Sequence, residues 1–111
     1  MGADIMKIFL AELVGTFFFL SVILITIDTT KKGYFKGDAW LKIAFALGAA
    51  IALVGNVSGG QLNPAVSCML YLNGELSLEN LGVYVVAQLI GATLSVVFFK
   101  FFQEELQELP T

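Results

Sequence analysis

The chain has 111 residues, 58% of them hydrophobic and 14% charged, with a formal net charge of −3 and a mean hydropathy of +0.86. A composition this apolar in so short a chain points to a membrane protein. Every basic residue is a lysine and histidine is absent, which removes both a basic surface for nucleic acid and the usual proton carrier of catalysis. Cys68 is the single cysteine, so no intrachain disulfide or cysteine-based metal site can form. We find no paired carboxylates, no nucleophile with a base and no phosphate-cradling loop. The expectation is a non-enzymatic integral membrane protein with lipid as its surroundings and no cofactor, no metal and no nucleic-acid partner.

The N-terminal MGADIM lacks the Ser or Thr at position 6 that myristoylation needs. The first apolar run, about residues 8–27, is too long for a signal-peptide core and no small-residue cleavage site follows it. It reads as a retained transmembrane helix, interrupted by Glu12. A polar loop with Lys31, Lys32, Gly33, Lys36 and Gly37 follows. The second run, about 39–57, is rich in Ala and Gly. The last, about 81–102, holds Gln88 inside and Lys100 near its end, with Ser77 as its N-cap and Glu79 in its first turn. Each run is close to the ~20 residues that cross a ~30 Å hydrocarbon core. Residues 103–111 form an acidic tail.

Between the second and third spans lies VSGGQLNPAVS, residues 57–67. The apolar piece that follows Pro64 ends near Leu72. At 1.5 Å per residue it is roughly 12 Å long, under half the core. Asn63 suits the N-cap, Pro64 the first helical position, and Asn73-Gly74 a stop. The prediction is a re-entrant half-helix within about 58–72, preceded by an extended stretch from Gly59 to Leu62. Irregular backbone at membrane depth persists only when buried in protein or lining a wet cavity, so this break is expected to face a pore. Carbonyls of Gly59, Gly60, Gln61 and Leu62 would accept hydrogen bonds. The Asn63 amide and the helix N-terminus would donate them. Water and small polyols fit such a lining, and the positive dipole end disfavours cations.

The small pairs Ala11/Gly15, Gly48/Ala52 and Ala87/Gly91 predict close helix packing. Glu12 inside its apolar run reads either as an ion or proton site or as a carboxylate satisfied by loop N–H groups; Gln88 reads as a structural hydrogen-bonding residue, and Cys68 as a buried filler. The phenylalanines read as packing or lipid-facing residues.

Ser58-Gly59-Gly60 followed by Leu62-Asn63-Pro64-Ala65-Val66 resembles the first NPA box of the aquaporins and glycerol facilitators. Ala11-Glu12-Leu13-Val14-Gly15-Thr16 resembles the signature of their first helix, and Gln88 with Gly91-Ala92 their third. The resemblance runs from Ile8 to Phe102. It implies an all-α membrane protein of three transmembrane helices plus one re-entrant half-helix, half of an aquaporin-like inverted-repeat bundle. It implies a permeant path at Gly59–Ala65, with Glu12 and Gln88 as support and Ile43 in a selectivity filter. It also implies assembly of full pores into tetramers.

Two features depart from that pattern. There is one NPA box where the family has two, and no arginine for the filter, so a second half or further copies of the chain are expected. An antiparallel homo-oligomer and a non-conducting regulatory subunit are the alternatives. The lysine bias places the loop after the first helix in the cytoplasm. The resemblance implies the opposite side, and we take that orientation.

Overall fold

A computed structural model of the chain describes residues 2–32 and 37–107. Gly33 and Lys36 of the lysine loop and residues 108–111 of the acidic tail lie outside the described residues. Among these described residues four helices follow in order: α1 (Gly2–Lys31), α2 (Ala39–Ser58), α3 (Pro64–Leu72) and α4 (Leu78–Gln107). Among the described residues there is no strand. Helices α1, α2 and α4 are each long and apolar enough to cross a membrane.

Both α1 and α4 outrun the apolar segments that predicted them, because polar residues at their ends continue the helix. Asp4 lies in the first turn of α1 and Lys31 in the last, matching the helix dipole. Asp28 pairs with Lys32 at 2.9 Å. Gln103, assigned to the tail from sequence, is helical and donates from Nε2 to Asp28 Oδ1 at 3.2 Å, tying the end of α4 to the end of α1.

Helix α1 is central. It packs along α2 and along α4, whereas α3 rests on α4. Ser58 bonds to Glu12, and Gly15 sits against Val54, so α2 runs antiparallel to α1. Gln88 meets Glu12, Gly91 meets Leu13 and Phe98 meets Phe17, so α4 runs parallel to it. Helix α2 therefore stops about 15 Å short of the level where α1 begins. Residues Asp4, Ile5 and Ile8 share a recess with Ser77, Glu79 and Asn80, which puts the start of α4 level with the start of α1. The short α3 occupies the gap and returns to that same face. The polypeptide turns back part-way across the bundle, a re-entrant half-helix.

Local chemistry fixes the ends of α3. Asn63 has extended backbone (φ −153°, ψ 122°), its Oδ1 accepts from Ala65 N at 2.8 Å, and Pro64 fills the first helical position. At the other end Glu75 N donates to Leu70 O at 2.9 Å and Gly74 N to Tyr71 O at 3.1 Å, with Gly74 left-handed at φ 80°. This is a Schellman stop, which favours glycine because the left-handed conformation strains any residue with a Cβ. Replacing Gly74 with alanine is expected to cost about 1–2 kcal/mol. Thermal unfolding in detergent checks this, and Gly82→Ala, in the second turn of α4 with open space around it, is the control.

The packing is inverted relative to a water-soluble protein. Buried residues include Glu12, Thr16, Ser21, Thr26, Ser58, Ser67, Gln88 and Ser95, alongside Ala46, Ala50, Val54, Leu62, Tyr84 and Ala87. Exposed residues include Trp40, Phe45, Leu53, Leu72, Val97 and Phe101. Small and polar groups inside with large apolar groups outside is the arrangement lipid demands, because burying apolar surface gives no drive between helices there. An aromatic row, Phe17 against Phe98 (centroids 5.6 Å, edge-on) and Phe98 against Phe102 (5.8 Å, stacked), braces α1 against α4.

Two of the three small-residue pairs take part in packing. A Cβ on Gly15 would lie 2.7 Å from Leu62 Cδ2, and one on Gly91 would lie 2.7 Å from the Leu13 carbonyl oxygen. Ala87 is fully buried. Gly48 and Ala52 are exposed instead. The face that α2 buries carries Ala46, Ala50, Val54 and Ser58 at four-residue spacing, and Gly48 falls away from it. Cys68, expected as a buried filler, is also exposed. Helix α3 has packing on its α4 side only, and Cys68 lies off that side.

Candidate functional site

The junction of α2 and α3 is organised around one carboxylate. Glu12 is fully buried. Its Oε2 accepts from Ser58 Oγ at 2.6 Å and from Gln61 N at 3.0 Å. Its Oε1 accepts from Leu62 N at 2.8 Å and from Gln88 Nε2 at 2.9 Å. Four donors converge on two oxygens. Placing an acid in a membrane helix costs about 2.5–3.5 kcal/mol at the bilayer centre, and these bonds offset that cost.

Glu12 holds the segment 59–62 by its backbone. The sequence predicts this stretch as extended, but Gly59, Gly60 and Leu62 have positive φ, at 86°, 64° and 56°. The chain must end α2 and reverse within a few residues, and left-handed steps do this where a strand could not. Glycine makes the first two steps inexpensive, and at Gly60 a side chain would also press on Ile51, with Cα 3.1 Å from its Cβ. Leu62 has no such freedom. Its N–H is held by Glu12, and its buried side chain is wedged with Val54 and Ala50 against Gly15. Burial and a charge-assisted hydrogen bond hold the strained residue in place.

The carbonyls of Gly59, Gly60, Gln61 and Leu62 belong to residues of mixed exposure, Gly60 and Leu62 being buried. Among the described residues none of the four accepts a hydrogen bond. Gly59, Asn63, Pro64 and Ala65 are exposed, and Gln61 is half-buried. Asn63 spends its Oδ1 on the α3 cap, so its Nδ2 remains as a donor. Unused acceptors and unused donors thus lie next to each other at the tip of a helix N-terminus, where the backbone dipole is positive.

The structure brings Glu12, Gln88 and residues 59–63 together and leaves Ile43 apart. Ile43 is half-buried on α2, roughly four turns before Ser58. Three participants were not singled out as support from sequence. Ser58 Oγ donates to Glu12 and also accepts from Gly60 N at 3.2 Å. Ser67, fully buried, accepts from Gln88 Nε2 at 3.0 Å and donates to Gln61 Oε1 at 2.6 Å. Tyr84 donates its hydroxyl to Ser58 O at 2.6 Å, closing the open end of α2. Tyr84 precedes Gln88 by four residues, one helical turn on the same face, and that spacing was the available signal.

Replacing Tyr84 with phenylalanine is expected to strand the Ser58 carbonyl and to cost about 1–3 kcal/mol. A drop in thermal stability in detergent, with helix content retained, is the expected reading; an unchanged midpoint would show that the bond contributes nothing.

Three membrane-length helices, a polar interior and a half-helix returning to its own face define an integral membrane protein built like half of an aquaporin fold. The chain matches the family described as Major intrinsic protein over residues 2–111. It is 36% identical over 106 residues to Aquaporin PIP2-1 of Arabidopsis thaliana, covering 85% of this chain and 37% of that protein. It is 34% identical over 105 residues to Glycerol uptake facilitator protein-like 6 of Lactiplantibacillus plantarum, covering 91% of this chain and 46% of that protein. Aquaporin PIP1-5 of Zea mays is 35% identical over 104 residues, covering 87% and 36%. The chain belongs to the major intrinsic protein family. It spans less than half the length of these relatives.

Proposed function

We propose that this chain forms one half of a channel that passes water or small neutral solutes of the glycerol kind, and that it conducts only when a second half completes the path. The observation that carries this reading is the row of unpartnered carbonyls at Gly59–Leu62 beside the Asn63 amide and the α3 N-terminus. A molecule that both accepts and donates hydrogen bonds can replace its hydration step by step along such a row. A cation meets the positive end of α3 and is disfavoured. The reading is a channel, not an enzyme, in keeping with the family matched. Similarity to proteins named as aquaporins and as a glycerol uptake facilitator supports the solute class.

The need for a second half follows from exposure. Asn63, Pro64 and Ala65 are open in the single chain, and α3 is packed on α4 alone. Irregular backbone with unmet carbonyls does not face lipid, so another surface must stand opposite. That surface is a second half-channel, or a second copy of this chain inserted the other way. Pro64 and Ala65 would meet it, and Ile43 would narrow the path farther along α2. Assembly of such pores into larger homo-oligomers fits the exposed apolar faces of α2 and α4.

Stopped-flow swelling of proteoliposomes tests the reading. Vesicles holding the purified chain together with a second half should shrink and swell faster than lipid alone, with water or glycerol as the driving solute. Fast flux from the chain alone identifies the two-copy pore. Background flux in both preparations, with the chain shown to be folded, would leave a non-conducting regulatory subunit.

A further inference from the structure

The hydrogen bonds behind residues 59–63 have a direction, and that direction ends at a side chain facing the open side. We infer that the side-chain amide of Gln61 is a fixed hydrogen-bond donor to a neutral oxygen of the solute, its orientation set by a one-way relay that begins at Glu12. The inference rests on reading Gly59–Asn63 as the solute path.

The backbone N–H groups of Gln61 and Leu62 both point at the Glu12 carboxylate. Gln88 Nε2 donates to Glu12 Oε1 at 2.9 Å, beside the Leu62 N–H on the same oxygen. The second proton of the Gln88 nitrogen goes to Ser67 Oγ at 3.0 Å. A serine hydroxyl has one proton to give. Having accepted from Gln88, Ser67 gives that proton to Gln61 Oε1 at 2.6 Å. The Gln61 oxygen is thereby turned inward and its Nε2 outward. That nitrogen has no partner among the described residues and is not among the enclosed polar atoms.

The relay carries a cost that shows it is imposed. Gln88 Oε1 is buried with no partner. A free amide would rotate to relieve such an orphan; this one is held because two acceptors, Glu12 and Ser67, both require its nitrogen. Two residues beyond Gln61 the same polarity recurs by a separate route, since Asn63 Oδ1 is occupied by the α3 cap and its Nδ2 points out. The side chains offer donors while the backbone of 59–62 offers acceptors. A water, hydroxyl or urea-type oxygen is recognised by the first, and its own protons by the second. Ser67 and Gln88 are positioning residues, acting through Gln61.

The test is solid-state NMR on the whole chain in lipid bilayers with isotopically labelled glutamine, the Gln61 signal being identified by its loss in Gln61→Met. The Gln61 amide should exchange magnetisation with water, and with glycerol supplied as the probe, while that of Gln88 stays dry. Ser67→Ala should release the Gln61 amide, seen as loss of its dipolar order with the Leu62 backbone signal unmoved. A Gln61 amide that stays equally ordered without Ser67, or one that touches neither water nor glycerol, overturns the inference. Should Ser67→Ala not fold, the wild type decides: weak dipolar coupling between Ser67 Cβ and Gln61 Nε2 is expected, and strong coupling would mean that the amide faces the other way. Absence of swelling with these contacts intact strikes the channel reading alone. A dry or reversed Gln61 amide in a conducting channel strikes this inference alone.

Discussion

Replacing Glu12 with alanine is expected to abolish accumulation of the folded chain in the membrane. The substitution removes one acceptor pair from four donors: Gln61 N and Leu62 N are stranded, Gln88 Nε2 keeps only Ser67 Oγ, and Ser58 Oγ keeps only Val54 O at 3.4 Å. At the average of about 0.6 kcal/mol measured for hydrogen bonds between membrane helices, the loss is roughly 2 kcal/mol. That average applies to side chains that find other partners when separated. Here two of the donors are backbone N–H groups in a segment already strained at Leu62, with nothing else within reach. A cost of about 1–3 kcal/mol for each stranded donor is the relevant scale, and the sum approaches the ~5–15 kcal/mol that holds a typical domain together. Glu12→Gln should fall between, because one amide oxygen can still serve part of the set while its nitrogen confronts the rest. The measurements are yield of detergent-extracted monodisperse protein and its unfolding midpoint. A Glu12→Ala protein that folds normally and changes ion conductance would instead make Glu12 a proton or ion site.

Much of this arrangement was legible in the sequence because its signals are local. A short apolar run between Asn63-Pro64 and Asn73-Gly74 announces a capped half-helix, since the caps act on neighbouring backbone groups. An acid inside an apolar run must find donors or serve an ion, and for Glu12 the resemblance of its helix to the family signature favours the donors. What the sequence hid depends on which faces meet. Gly48/Ala52 has the same spacing as Ala87/Gly91, yet only the second pair faces a neighbouring helix. Spacing says that two residues share a face, not that the face is covered. The positive φ at Leu62 was equally hidden. Leucine has no preference for that conformation, and only Glu12 on one side and Gly15 on the other hold it there. Ser67 and Tyr84 were passed over because a serine or tyrosine in a membrane segment is common, and their partners lie far along the chain. Helix ends were underestimated for a different reason. Apolar runs report where hydrocarbon begins, while helices continue as long as the side chains tolerate water, as the Asp28–Lys32 pair and the Gln103–Asp28 bond show.

Gly91→Val is expected to separate α4 from α1 and to disable the site from a distance. A Cβ at position 91 would lie 2.7 Å from the Leu13 carbonyl oxygen, 3.1 Å from Thr16 Cβ and 3.2 Å from Phe17 N. Two of these three neighbours are backbone atoms of a helix and cannot rotate aside. Even alanine must push the helices apart, and valine adds two methyl groups at a position already closed. Overpacking of this kind costs about 1–3 kcal/mol where side chains can repack, and more where backbone must move. Gly91 lies one turn beyond Gln88, so any shift of α4 at residue 91 also draws Gln88 from Glu12 Oε1 and from Ser67 Oγ. Hydrogen bonds of 2.9 and 3.0 Å do not survive a displacement of an ångström. The variant should therefore lose stability and, separately, lose the fixed geometry of Gln61 that depends on Ser67. Gly82→Ala and Gly48→Ala are the controls, since each meets open space and should be neutral or slightly stabilising through helix propensity, by up to ~1 kcal/mol. Unfolding midpoints of the three variants in one detergent decide the matter. A Gly91→Val protein as stable as the two controls would show that α1 and α4 do not approach as closely as their backbones indicate.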